Sequence, residues 1–393
     1  MHKDALRTRD VVPPGVVQSV ASAGKSPRDA RIDVFRGLAL VMIFINHVPG
    51  TLFEHFTNRN YGFSDAAEAF VFLSGVAAGL AYSTRFLSRP LWPAIAKVWA
   101  RARALYFVHL STTAMAMGIM AAGALYFRLP QLLGTINMAP IFTHPLGVMI
   151  GIPTLGHQLG YFNILPLYTV FLLATPAMII VGLKRPLLLL GTSILVWAIA
   201  AQFRLNFPAY PNPGGWFFNP LTWQILFVLG LLTGMAMKRG ERFVPKIGWL
   251  TWASGLFLLA ILIWRLVPEM GVMGRAGLGV LRELGVPYSF VGFDKTFLAF
   301  PRMLHFLALA YFLSTQGWVE RFARSTWMAP FALLGQHGLA VFATGSVLSI
   351  LMQAIKAGIG DHLITDALLL GSGLAVQFAL AYGLRRTSQM KVA

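Results

Sequence analysis

The chain has 393 residues, of which 56% are hydrophobic and only 12% charged, where a soluble chain carries about 25% charged residues. With apolar runs of bilayer-spanning length recurring along it, a soluble enzyme, a disordered chain and a fibrous repeat are excluded, and an all-α polytopic membrane bundle is expected. The formal net charge of +18 then reads as topology and not as nucleic-acid binding, because Lys and Arg collect in cytoplasmic loops.

Residues 1–30 hold Pro13, Pro14, Gly15, Gly24 and Pro27 with scattered charges and no apolar signal-peptide core. They are expected to be a flexible cytoplasmic tail ahead of a transmembrane domain over 31–388. About ten spans follow, at 32–52, 64–86, 96–122, 159–183, 186–203, 220–238, 247–267, 297–317, 330–354 and 363–385. Ser64 is placed to N-cap the second, and Pro186, Pro220 and Pro330 suit first-turn positions. The runs are continuously apolar, so an alternating β-barrel pattern is absent. Lys and Arg concentrate in the tail and in alternate loops, at Lys97, Arg101, Arg103, Lys184, Arg185, Arg239 and Arg385. Both termini are therefore expected in the cytoplasm. The long loops 123–158, 204–219 and 268–296 then face outward, where loops of this length usually carry function. Tyr210, Trp216, Phe217 and Phe218 read most simply as an interfacial aromatic belt, with sugar stacking as the lesser reading. No internal repeat of the kind many transporters show is visible.

The most informative stretch runs from Arg31 to Gly50. Asp33 and Arg36 are three residues apart on one helix face and can pair. His47 stands 11 residues beyond Arg36, close to three turns and about 16 Å, so both share a stripe of the first span. Asp65 and Glu68 begin the second span at a depth that matches His47. An antiparallel neighbour would bring a carboxylate to that imidazole, as a general base requires. A lone membrane histidine is often only a structural hydrogen-bonding group. Two carboxylates at its depth favour function, because intramembrane ionisable groups are costly. Gln158, Asn163, Gln224, Asp294, Lys295, Arg302, His305, Gln336 and His337 add polar groups to otherwise apolar spans. Each alone suits a structural role, but together they describe a polar interior. The Gly75–Gly79 and Gly230–Gly234 spacings favour close helix packing. With no Cys and no zincin, Walker or nucleophile-elbow motif, no metal site is expected.

At these residues the chain resembles a known family. The segments from Arg31 to Leu40, Asn46 to Gly50 and Gly62 to Phe72 look like the OpgC proteins, membrane enzymes that succinylate osmoregulated periplasmic glucans. Further matching stretches are Leu159–Tyr168, Asn219–Gln224, Asp294–Thr296, Arg302–Ala308 and Leu334–His337. The Arg36–His47 spacing also resembles the wider acyltransferase-3 superfamily. The resemblance implies His47 as catalytic base and Arg36 as a residue handling the acyl donor near the cytoplasm.

It further implies a bacterial inner-membrane O-acyltransferase with its acceptor site facing the periplasm. Succinyl-CoA would be the donor substrate and no cofactor would be tightly bound. Asp65 or Glu68 would hold the imidazole. Asn163, Gln158, Gln224 or His305 would stabilise the oxyanion, and Lys295 or Arg302 would meet a succinyl carboxylate. The bilayer, an acyl-CoA and a periplasmic glucan are the expected partners, and nucleic acid is not. An O-acetyltransferase acting on another extracytoplasmic glycan, and a non-enzymatic glycan or anion transporter, remain open alternatives.

Overall fold

The computed structural model describes residues 29–390, so the tail expected over 1–30 lies almost wholly outside the described residues. Each of the ten predicted apolar segments carries a helix. The helices, counting one (α8) outside those segments and two (α10, α11) within the ninth, are α1 (Ala30–Asn46), α2 (Ala66–Tyr82), α3 (Trp92–Tyr126), α4 (Ile164–Lys184), α5 (Pro186–Gln202), α6 (Pro220–Lys238) and α7 (Gly248–Leu266). There follow α8 (Pro268–Glu283), α9 (Phe300–Thr315), α10 (Ala329–Gln336), α11 (Gly338–Ile359) and α12 (Leu363–Met390). The only β pairing among the described residues is an isolated bridge between Pro208 and Gly215.

Seven helices are long and apolar enough to cross a membrane: α2, α3, α4, α6, α7, α11 and α12. This marks the chain as a membrane protein but does not carry the expected count of ten. The other three predicted spans form α1, α5 and α9, of 17, 17 and 16 residues. Those lengths lie at or just below the shortest stretch that spans the hydrocarbon core, about 17 residues.

Four expectations about boundaries are corrected. The first span ends at Asn46, and residues 47–65 form a connecting loop with two short 3-10 turns. The N-cap of α2 is Asp65 and not Ser64. The ninth span breaks at His337, whose backbone (φ −105°, ψ 28°) separates α10 from α11. The loop 268–296 is mostly helix, since α8 occupies its first half with only Gly271 buried. The prolines at 186, 220 and 330 do sit in first turns, where the missing N–H has no helical partner to lose.

The bundle is organised around two close helix crossings. At the α2–α6 contact, the most extensive among the described residues, Gly75 and Gly79 face Gly230 and Gly234. A Cβ on Gly75 would run into the Phe227 carbonyl, and one on Gly234 into the Val76 carbonyl. Small residues let the two backbones touch, as in membrane helix pairs generally. Trp223, Leu226, Phe227 and Leu231 are fully or almost fully buried beside this crossing. The second crossing sets α10 on α1, with Gly37 against the Phe331 carbonyl and Gly335 against the Asp33 carbonyl. Gly335 seats α10 on α1, α11 packs on α3, α12 and α1, and the chain turns between the two helices at His337.

A Gly234→Val variant is expected to lose about 1–3 kcal/mol of stability through overpacking. Gly118→Ala, at an exposed α3 position with open space, is expected to lose none. Thermal unfolding of both in detergent checks the pair.

Candidate functional site

The helix start at Asp65 builds the first part of the site. The Asp65 carboxylate accepts from the Ala67 amide at 2.8 Å, and Glu68 reaches back to accept from the Asp65 amide at 2.9 Å, forming a reciprocal capping box. Both carboxylates also receive cations from far along the chain. Arg302 on α9 donates from Nε and Nη2 to Glu68 Oε1 at 2.9 and 2.6 Å, and from Nη2 to Asp65 Oδ2 at 3.2 Å. Lys295 Nζ donates to Asp65 Oδ2 at 2.5 Å. Burial alone would push the Asp65 carboxyl upward, but Lys295 and Arg302 more than offset it and hold it well below the usual carboxylate range.

Lys295 is itself held by its backbone. The Trp223 indole donates to the Lys295 carbonyl at 2.9 Å, and the Trp197 indole donates to the Leu298 carbonyl at 3.1 Å. Next to the cluster, His305 Nδ1 shares a 2.8 Å hydrogen bond with the Ser64 hydroxyl. A Cβ at Gly62 would occupy the His305 ring, so only glycine allows this approach.

His47 lies just past the end of α1, half-buried, with its ring packed on Tyr161 at a centroid distance of 4.4 Å. Its Nδ1 is enclosed and has no hydrogen-bond partner. Enclosure and the nearby Lys295 charge hold the imidazole below its ordinary pKa, with Asp65 opposing them. A neutral ring, able to accept a proton, is thus favoured near pH 7. The expected carboxylate–imidazole pair is not formed, because no hydrogen bond joins His47 to Asp65 or Glu68. Both carboxylates are committed to the α2 start and to the cations, and Asp65 reaches His47 only through its field.

At the other end of α1 lies a cavity of about 260 Å³ lined by Arg36, Arg101, Tyr82, Ser74 and Gln336. It follows α2 from Tyr82 up to Phe70, twelve residues or about 18 Å. Arg36 leans across it to donate from Nη2 to the Leu73 carbonyl at 2.8 Å. Phe70, Tyr168 and Phe342 also line it, with the Tyr168 and Phe342 ring centroids 5.7 and 5.9 Å from that of Phe70. Asp33 is buried one turn before Arg36 on the same helix, while His337 sits half-buried at the helix break.

Other sequence candidates go elsewhere. Gln224 ties α6 to α5, donating to the Ser193 carbonyl at 2.8 Å and accepting from the Ser193 hydroxyl at 2.7 Å. Gln158 donates to the Leu155 carbonyl at 2.9 Å within its own loop. Both amides thus help to hold structure together in this arrangement. Asp294 pairs at 2.8 Å with Arg204, whose guanidinium lies over the Phe297 ring. Asn163 opens α4 without using its side chain as a cap, two residues after Tyr161. The aromatic belt is half corrected. Trp216 and Phe218 are buried, packing on Phe207 and Trp223, while Tyr210 and Phe217 stay exposed.

Sequence reading missed several residues. Gln353 and Lys356 of α11 and Asp366 of α12 form a polar group at the His47 end. Their signal was a lysine and an aspartate inside apolar runs, but not their partners. His109 on α3 is fully buried with neither ring nitrogen bonded.

The family model described as OpgC protein matches residues 28–389 of the chain. No curated protein and no solved structure matches it.

Arg302→Met leaves Glu68 buried without its countercharge, and breaking such a pair typically costs about 3–5 kcal/mol. Adding Glu68→Gln is expected to recover a large part of that loss. Unfolding curves of the single and double variants make the comparison.

Proposed function

The chain belongs to the OpgC family, and on that premise we propose that it is a membrane acyltransferase moving a succinyl group from cytoplasmic succinyl-CoA to hydroxyls of periplasmic glucans. Family membership points to an acyltransferase that modifies osmoregulated periplasmic glucans. The donor, the base and the location in a bacterial inner membrane are the finer parts of the proposal.

The observation that carries it is the layout along α1. At one end Arg36 and Arg101 line a narrow cavity walled largely by apolar side chains. At the other, His47 stands half-buried with Lys295 nearby. The basic cavity suits the anionic nucleotide of a CoA, which guanidinium groups bind well. The pantetheine arm would then follow the stripe Arg36–Leu40–Ile43–His47 past Phe70 and bring the thioester to the imidazole.

In the proposed reaction, a glucan hydroxyl gives its proton to His47 as its oxygen attacks the thioester carbonyl. The tetrahedral adduct then collapses by breaking the C–S bond. The departing thiolate takes the proton back from His47, leaving a glucan ester and free CoA. Transfer through an acyl-imidazole on His47 is the variant route. Arg302 carries two carboxylate partners, Glu68 and Asp65, and its side chain is only 12% exposed. Lys295 has one carboxylate partner, a side chain 28% exposed, and the Phe217 and Phe218 rings within 6 Å. An ammonium has three donors, so of the two cations Lys295 is the better partner for a succinyl carboxylate.

Three measurements on protein reconstituted in vesicles test the proposal. His47→Ala is expected to slow transfer by about 10²- to 10⁴-fold, the range typical of a lost general base. Glucan acylation at the original rate by a folded His47→Ala protein would remove the base assignment. Arg36→Ala is expected to raise KM for acyl-CoA more than it lowers kcat. Lys295→Met should reduce preference for succinyl-CoA over acetyl-CoA by about 10- to 100-fold, the equivalent of one charge-assisted hydrogen bond. The mass of the adduct identifies the acyl group, and an acetyl adduct would overturn the donor assignment.

A further inference from the structure

The imidazole of His47 has no carboxylate to orient it, so something else must hold it in place. Its ring leans on Tyr161, but the backbone that carries it sits beyond the last helical turn, where carbonyls lose their intrahelical donors. Two carbonyls of the turn that follows α1 are taken by one face of α11. Gln353 Nε2 donates to the His47 carbonyl at 2.6 Å, and Lys356 Nζ donates to the Gly50 carbonyl at 3.0 Å. Gln353 and Lys356 are three residues apart, so they project from the same side of the helix.

The second anchor is built with unusual care for a group inside an apolar bundle. Lys356 is buried and pairs with the buried Asp366 of α12 at 3.0 and 3.2 Å, and with Asp361 at 2.9 Å. Gly50 takes a φ of +79°, which a side chain would resist, and its carbonyl meets the ammonium. The three donors of the ammonium are thus divided among Asp366, Asp361 and the Gly50 carbonyl. Asp366 thus holds Lys356, Lys356 holds Gly50, and Gln353 holds His47 itself.

We propose that Gln353 and Lys356 are positioning residues, a two-point clamp on the His47–Gly50 turn that aims the imidazole. The inference rests on His47 being the base. With the turn fixed at both ends and the ring backed by Tyr161, the imidazole is confined without a partner on Nδ1. Loosening the turn misplaces the base but leaves the donor cavity at Arg36 untouched. The cost therefore falls on kcat and not on donor binding.

The test uses the full chain in vesicles with kcat and KM measured separately. Gln353→Met keeps the volume and removes the donor. Lys356→Met with Asp366→Asn removes the buried charges together, so that neither is left unpaired. Each is expected to lower kcat by about tenfold or more, as misplacement of a reacting group does, with KM for acyl-CoA within about twofold. The unfolding temperature is expected to hold, and Lys356→Arg, which keeps cation and donor, to restore kcat. Unchanged kcat in Gln353→Met, or a loss shared equally by KM, overturns the clamp while an inactive His47→Ala still stands for the base. A fully active His47→Ala protein overturns the base, and the clamp with it. Where Lys356→Met/Asp366→Asn fails to fold, Gln353→Met decides alone.

Discussion

Burying a charge without a partner is costly, and the pairing of Arg302 with Glu68 and Asp65 is the interaction on which the rest of this structure depends. The two carboxylates come from one helix start and the guanidinium from α9, so meeting their charges brings α2 and α9 together. The same carboxylates cap α2, which ties the ion cluster to the local stability of that helix. Lys295 joins from the segment before α9, and the Trp197 and Trp223 indoles hold that segment through its carbonyls. Every member of the cluster thus has both a partner and a backbone that cannot easily move away.

That arrangement decides what is left for chemistry. Because the carboxylates are spent, His47 receives only the field of the cluster, and its enclosure first, then the Lys295 charge, hold the imidazole below its ordinary pKa. The absence of a hydrogen-bonded carboxylate shifts the task of orientation to the ring of Tyr161 and to the carbonyl contacts from α11. Buried charge appears twice at the His47 end, as Asp65–Glu68–Lys295–Arg302 and as Lys356–Asp366. In both places a backbone segment that borders His47 is fixed by groups far away in the chain.

The glycine crossings do the complementary work. Backbone contact between α2 and α6, and between α1 and α10, brings together the helices that line the cavity at Arg36. The break at His337 belongs to the same pattern. Gln336, immediately before the break, lines the cavity that contains Arg36.

The helical membrane class, the placement of apolar segments and the close-packing glycines were all legible in the sequence. Each depends on composition or on a helical period of 3.6 residues, which is local. The partners of Asp65 and Glu68 were not legible, because Lys295 and Arg302 lie 230 and 234–237 residues away and any carboxylate at that depth would also have suited the histidine. Gln353 and Lys356 reach their carbonyls across 306 residues, and Gln224 looked like a free amide until Ser193 packed against it. Which helix ends where, and which buried donor meets which acceptor, was decided only by the tertiary structure. Hydrogen bonds and ion pairs of buried groups are settled by whichever helices pack together, and no local period records that choice.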